Sequence, residues 1–240
     1  MPKHFFFDLD KTLTVSRTPM DPGHQEIFDR LCSVADVVVV TGGSVEQIRD
    51  QVTLRFDGKY YVLAASGNHA LGKDGTLLWR EIVDKSQTRA VYDFVEILKR
   101  YFNETVKDEN DLVEHRGAQI SYSVIGFHEN VDRKYAFDPD DARRAAALAA
   151  YPEAVRMLAT AGIEVTPAGT TTYNFLLAGK HKGYNVARFI ERERWEKKDC
   201  IYVGDALFPG GNDETVIGII PTHAVTSPDD TFNYLSSILV

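Results

Sequence analysis

At 240 residues, with 44% hydrophobic and 26% charged residues, the chain is long enough to bury one large core or two small ones and has an ordinary water-soluble composition. A net charge of -8 excludes the broad basic surface that a nucleic-acid backbone requires, but not a small phosphate ester, because a divalent cation and a few local Lys or Arg can reverse the field inside a cleft. No apolar run approaches the ~20 residues of a membrane helix; Met1–Phe7 is too short for a signal peptide, and the two cysteines, Cys32 and Cys200, read as reduced core thiols. These features predict a cytoplasmic protein with neither a membrane nor a nucleic-acid partner.

His4–Leu9 reads as a buried strand, Pro22–Val34 as a helix and Asp36–Val40 as a second buried strand. Gly42, Gly43 and Ser44 open a helix at about Val45, with Ser44 placed to cap it, and Tyr60–Ala65 is a third strand. Strands apolar on both faces and separated by helices indicate a parallel sheet covered on both sides. The middle differs. A helix over Gln87–Phe102 precedes strand segments at Asp111–Arg116 and Gln119–Ile125, an Ala-rich helix over Asp140–Ala150, and a further helical stretch restarted by Pro152. Ile163–Thr166 and Thr171–Leu177 read as two more strands, so this part predicts an α+β unit on an antiparallel sheet. From Gly183 the first pattern returns, with a helix to about Arg194 and strands at Cys200–Val203 and Val216–Ile220. The predicted fold is α/β, a Rossmann-like doubly wound parallel core in segments 1–82 and 178–240, interrupted by an inserted α+β domain over 83–177.

Four segments carry candidate chemistry. Asp8-Leu9-Asp10-Lys11-Thr12-Leu13-Thr14 ends the first strand, at the sheet edge where open α/β folds bind ligands. Two carboxylates two positions apart share a face in extended geometry, and their repulsion calls for a cation such as Mg²⁺. One can attack phosphorus while the other handles the leaving-group proton. Thr41, Gly42 and Gly43 end the second strand at a helix N-terminus, where backbone N–H groups suit a phosphate. Gly204-Asp205 through Gly210-Gly211-Asn212-Asp213 places two more carboxylates after a core strand, with Asp205 a further metal ligand. Lys180 or Lys182, before the helix at Gly183, can neutralise transferring oxygens. Taken singly, an acidic turn, a capped helix start, a Gly-Asn-Asp surface turn and a solvated lysine would account for the same residues.

In chain order, Asp-x-Asp-x-Thr, a strand-end Thr, a Lys at a helix start and Gly-Asp-x₆-Asn-Asp resemble the four motifs of the haloacid dehalogenase (HAD) superfamily. The resemblance implies Asp8 as nucleophile, Asp10 as general acid/base, and Thr41 and Lys182 as phosphate stabilisers. It also implies Mg²⁺ held by Asp8, the Asp10 backbone carbonyl and Asp205, with Asn212 and Asp213 behind them. Lys11 departs from the pattern, since many relatives carry Gly there.

An insertion after the third strand is the arrangement of type IIB capped members, and the chain is most similar to their α-phosphomannomutase branch. Thr12-Leu13-Thr14-Val15-Ser16-Arg17, Arg116 followed by Ser123-Val124-Ile125-Gly126, and Gly210-Gly211-Asn212-Asp213 carry that likeness. It implies substrate contacts at Arg17, Arg116, Arg133, Thr172 and Asn174, with guanidinium forks on phosphate, and a homodimer through the cap. Three departures stand out: Phe127 replaces an Arg, the next Arg is out of register so that Arg133 or Lys134 must fill its role, and Asn174 replaces an acid. Losing one cap Arg weakens a mutase more than a hydrolase. The sequence therefore predicts a Mg²⁺-dependent phosphohydrolase acting on a hexose phosphate. A phosphomannomutase or phosphoglucomutase is the alternative, and a non-catalytic phosphosugar-binding protein a third.

Overall fold

The computed structural model describes residues 1–239, which form two compact units: Met1–Arg80 with the chain from Gly179 onward, and Glu81–Ala178. In chain order the first contains β1 (His4–Asp8), α1 (Pro22–Val34), β2 (Asp36–Val40), α2 (Val45–Val52), β3 (Tyr61–Ala64), β4 (His69–Leu71) and β5 (Leu77–Arg80). The second contains α3 (Lys85–Phe102), β6 (Val113–His115), β7 (Gln119–Ser123), α4 (Val131–Phe137), α5 (Ala142–Ala150), α6 (Pro152–Thr160), β8 (Ile163–Ala168) and β9 (Thr172–Leu177). The first then resumes with α7 (Lys182–Glu193), β10 (Cys200–Gly204), β11 (Thr222–Ala224) and α8 (Pro228–Ile238).

The larger unit is built on a seven-stranded sheet of order β11-β10-β1-β2-β3-β4-β5, parallel except for β4, which runs antiparallel to both of its neighbours. Phe5, Phe6 and Phe7 of β1 have no exposed surface. Alternation sends Phe5 and Phe7 into a core with Phe28 of α1, Ile48 of α2 and Phe232 of α8, and Phe6 into the opposite core with Val186 and Phe189 of α7. Each side chain fully buried in this way is worth about 1.5–3 kcal/mol. Cys32 and Cys200 are free thiols, and no helix among the described residues is long and apolar enough to cross a membrane.

The predicted strand at Val216–Ile220 is corrected. Glu214–Val216 is a 3₁₀ turn, Ile217 and Ile220 form one isolated bridge, and the strand pairing with β10 is β11. Val216 and Ile220 are apolar because they fill the core beside α7, and Gly218 at φ 83° breaks any extended run. Pro221 lacks the N–H that a ladder needs, so pairing begins after it. The β4–β5 hairpin, α4 and α8 are further elements beyond the sequence reading. In the smaller unit, order β6-β7-β9-β8 gives an antiparallel sheet. Ile120, Tyr122, Tyr173 and Phe175 pack on one face with Phe94 and Leu98 of α3 and Leu158 of α6, leaving Ser121, Ser123, Thr172 and Asn174 on the other.

Candidate active site

The chain leaves β1 for β2 on one side of the sheet and returns through β10 on the other, which makes the carboxyl end of β1 a topological switch point. Asp8 is the last residue of β1, paired with Val40, so Thr41 follows at the same edge; Asp205 follows β10 there as well. Three parallel strands thus deliver Asp8, Thr41 and Asp205 to one edge.

Lys182 is the first residue of α7, whose N-cap is His181, accepting from the Tyr184 N–H at 3.1 Å. Gly183 has no room for a side chain: a Cβ there would stand 1.8 Å from the Thr215 carbonyl oxygen. That close approach seats the helix start against the loop bearing Asn212 and Asp213. The Lys182 ammonium donates to Asp8 Oδ1 at 2.5 Å, Asp213 Oδ1 at 2.7 Å and Asn212 Oδ1 at 3.4 Å, which uses all three donors. Asp8 and Lys182 are only 4% and 3% exposed. The lysine facing Asp8 is therefore Lys182, whereas Lys180 reaches the Tyr184 hydroxyl at 3.2 Å.

Burial pushes the Asp8 carboxyl up to about 7, against the pull of Lys182 and with Asp213 and Asp205 adding to the rise. Asp205 is raised by burial and then by Asp213, with Lys11 and Lys182 opposing. Burial acts to lower Lys182, but Asp8 and Asp213 outweigh it and hold the group above its ordinary value. The two partners pull in different directions, one toward a neutral acid and the other toward a charged amine. The ammonium is the firmer assignment, because it keeps a second short bond to Asp213. What remains is a cluster of acids, Asp8 and Asp213 buried and Asp205 half-buried, short of positive charge. Carboxylate oxygens of Asp8, Asp205 and Asp213 lie within 4.8 Å of one another. Asp213 Oδ1 already takes Lys182 and the Tyr202 hydroxyl at 2.6 Å, and its Oδ2 takes the Ala206 N–H at 3.3 Å. Asp8 and Asp205 are thus the carboxylates freer to hold a hard divalent cation, whose preference for oxygen donors they meet.

Asp10 is separate from that cluster. Its carboxylate accepts from the Arg17 N–H at 3.1 Å and from Gln47 and Gln51, two residues that sequence reasoning missed. Lys11 takes a left-handed φ of 62°, a conformation that Gly adopts without strain. The Thr41 hydroxyl accepts the Gly43 N–H at 3.1 Å, and exposed Gly42 leaves the backbone of this turn open beside the start of α2. Arg17 is exposed, also with positive φ (58°).

In the smaller unit Arg116 is exposed, paired with Glu114 at 2.5 Å, its guanidinium 5.9 Å from the Phe127 ring. Arg133 of α4 is instead engaged internally, with Glu129 at 2.6 Å and Glu104 at 3.5 Å, and Lys134 donates to the Phe127 carbonyl at 2.8 Å. Asn174 accepts from Ser121 at 2.9 Å, and Thr172 lends its carbonyl to Arg144 at 2.8 Å. Arg144, without exposed surface, also pairs with Asp138 at 2.8 Å and with the carbonyls of Ala168 and Gly169, each at 2.7 Å.

A family profile described as eukaryotic phosphomannomutase matches residues 24–240. The chain belongs to this family. Phosphomannomutase 1 of Dictyostelium discoideum is 26% identical over 247 residues, spanning 97% of this chain and 94% of that protein. Likeness of fold extends further. A haloacid dehalogenase-like hydrolase from Bacteroides thetaiotaomicron superposes with a TM-score of 0.69 at 13% identity, covering 99% of this chain and 100% of the other. IMP-bound IMP-nucleotidase of Plasmodium falciparum does so with 0.68 at 14% identity, over 99% of this chain and 66% of its own length. The phosphomannomutase family member described here thus has the HAD fold, an α/β core with a mostly parallel sheet and an additional antiparallel sheet.

Proposed function

We propose that this chain is a Mg²⁺-dependent HAD-type phosphoryl-transfer enzyme that moves the phosphoryl group of a hexose phosphate, or a similar small ester, to Asp8 and then to water. The observation carrying this reading is the buried Asp8 at the switch point, bonded to Lys182 at 2.5 Å and facing Asp205. Lys182 occupies Asp8 Oδ1, which leaves Oδ2 to attack phosphorus as the P–O bond to the sugar breaks. Asp10 gives its proton to the departing sugar oxygen, then takes one from the water that attacks the aspartyl-phosphate, and Asp8 leaves as carboxylate. Lys182 offsets charge on the transferring oxygens, and the Thr41 hydroxyl with the Gly42–Gly43 backbone receives the phosphate. Mg²⁺, held by Asp8, the Asp10 carbonyl and Asp205, would supply charge neutralisation and orientation of the phosphoryl group; Asn212 and Asp213 support Lys182 behind them. Arg17, Arg116, Thr172 and Asn174 are the proposed sources of substrate selectivity. Arg133 is a weaker member of that set, because both branches of its guanidinium are engaged within its own unit. The two free thiols, Cys32 and Cys200, suit a cytoplasmic setting.

A second reading, return of the phosphoryl group to another hydroxyl of the sugar, is favoured by the family membership. Phe127 favours hydrolysis, because an apolar ring cannot grip the second phosphate of a bisphosphate intermediate. A panel of phosphate esters assayed for phosphate release and for isomerised sugar, with and without a hexose bisphosphate, separates the two. Release without isomerisation supports hydrolysis. Isomerisation that outruns release replaces it with the mutase, and neither product with any ester refutes both.

A further inference from the structure

One face of α2 carries Gln47 and Gln51, four residues apart, and both side-chain amides converge on Asp10. Gln47 Nε2 donates to Asp10 Oδ2 at 3.0 Å, and Gln51 Nε2 donates to Asp10 Oδ1 at 3.1 Å. The same nitrogens close the network, Gln47 onto Gln51 Oε1 at 2.8 Å and Gln51 onto the Thr14 hydroxyl at 2.6 Å. Each amide nitrogen has two hydrogens, so both are fully committed. Gln51 and Thr14 are each only 2% exposed, which makes this a built network and not a surface accident. Gly43 belongs to it through what it lacks: a Cβ there would stand 1.9 Å from Gln47 Oε1.

We propose that Gln47 and Gln51 are positioning residues that clamp the Asp10 carboxyl in the orientation from which it exchanges a proton with the leaving-group oxygen. The proposal rests on the acid/base assignment of Asp10 made above. A carboxylate turns easily about its last torsion, whose preference is broad and two-fold. Proton transfer, by contrast, demands heavy atoms about 2.6–3.2 Å apart. Asp10 sits in a tight turn, with the Lys11 N–H donating to the Thr14 carbonyl at 2.7 Å, which fixes its backbone. That turn does not itself set the carboxyl plane: Oδ1 takes the Arg17 N–H at 3.1 Å and the Gln51 amide, and Oδ2 is held by the Gln47 amide.

The leaving group supplies the test. A sugar alkoxide must be protonated as it departs, whereas p-nitrophenolate leaves as a stable anion. kcat/KM, which reports steps through the first phosphoryl transfer, is measured for Gln47→Leu, Gln51→Leu and Asp10→Asn on a hexose phosphate and on p-nitrophenyl phosphate. The glutamine variants should lose about 10- to 100-fold on the hexose phosphate, part of the ~10²–10⁴-fold typical of general acid–base catalysis, and about threefold or less on the aryl ester. Gln47 is only half-buried, so Gln47→Leu carries the test should Gln51→Leu lower the folded yield. Equal losses on both esters in the glutamine variants, with a leaving-group-dependent loss in Asp10→Asn, would overturn the clamp and leave the acid standing. Equal losses in all three variants would overturn the acid and the clamp together.

Discussion

Lys182→Met removes the ammonium that joins the buried carboxylates of Asp8 and Asp213, and the geometry sets the size of the effect. Lys182 is bonded to Asp8 and Asp213 at 2.5 and 2.7 Å with almost no exposed surface on any of the three. Removing one partner of such a buried pair costs about 3–5 kcal/mol, because it strands the opposite charge. Protonation of the stranded acids competes with that cost and makes it pH-dependent. The Asp8 carboxyl already stands at about 7 through burial, so at pH 6 it is largely neutral even in the wild type. The loss there is mainly the bond to Asp213. Without Lys182 the folded-state value of Asp8 climbs further above its unfolded value. A raised carboxyl is bound to a proton in the folded state that the unfolded state has released, so stability falls as pH rises until the folded value is passed. The wild type stops losing stability near pH 7, whereas the variant continues. The difference should therefore grow by up to about 1 kcal/mol between pH 7 and pH 8. Urea unfolding in chelator, followed by tryptophan fluorescence, measures it, since both tryptophans, Trp79 and Trp195, lie in the unit that carries Asp8. A destabilisation under about 1 kcal/mol, or one flat from pH 6 to 8, would refute the pairing.

Arg144→Met should destabilise the smaller unit by about 3–5 kcal/mol through stranded Asp138, seen as faster hydrogen exchange in β8 and β9; unchanged protection would show that the buried network is not holding that hairpin. Mg²⁺ binding should release about one proton at pH 6 and almost none at pH 8.5, because the Asp8 carboxyl at about 7 must ionise to serve as ligand; calorimetry in two buffers of different ionisation enthalpy reads this, and no release at pH 6 would remove Asp8 from the metal site. Phe127→Arg should tighten hexose bisphosphate binding by roughly 1.5–3 kcal/mol and raise the ratio of isomerised sugar to released phosphate. A wild type that already isomerises efficiently would show that Phe127 does not decide between the two reactions.

Much of the core was legible because its signals are local. Phe5–Phe7 and Val37–Val40 are aromatic and β-branched runs of strand length, the composition of strands covered on both faces, and Ser44 caps α2 through the Gln47 N–H at 3.2 Å. The β4–β5 hairpin was missed because β4 has only three residues, although Asp74-Gly75 in its turn is a hairpin signal. Val216–Ile220 misled because an apolar run records burial, and burial alone does not separate a strand from a packed turn. Choosing Lys182 over Lys180 needed the helix start to one residue, and the cap there is His181, outside the usual Ser, Thr, Asp or Asn. Gln47, Gln51 and Arg144 escaped because nothing in sequence spacing says where an amide or a buried guanidinium will find its acceptors.

The claim that phosphoryl groups pass through Asp8 is tested most directly by trapping the intermediate. The enzyme is quenched during turnover of a hexose phosphate with Mg²⁺, reduced with borohydride, digested and analysed by mass spectrometry. An aspartyl-phosphate at Asp8 predicts reduction of that residue to homoserine in the substrate-treated sample alone, and no turnover by Asp8→Asn. Undiminished turnover by Asp8→Asn, or reduction at a different carboxylate, would contradict the account.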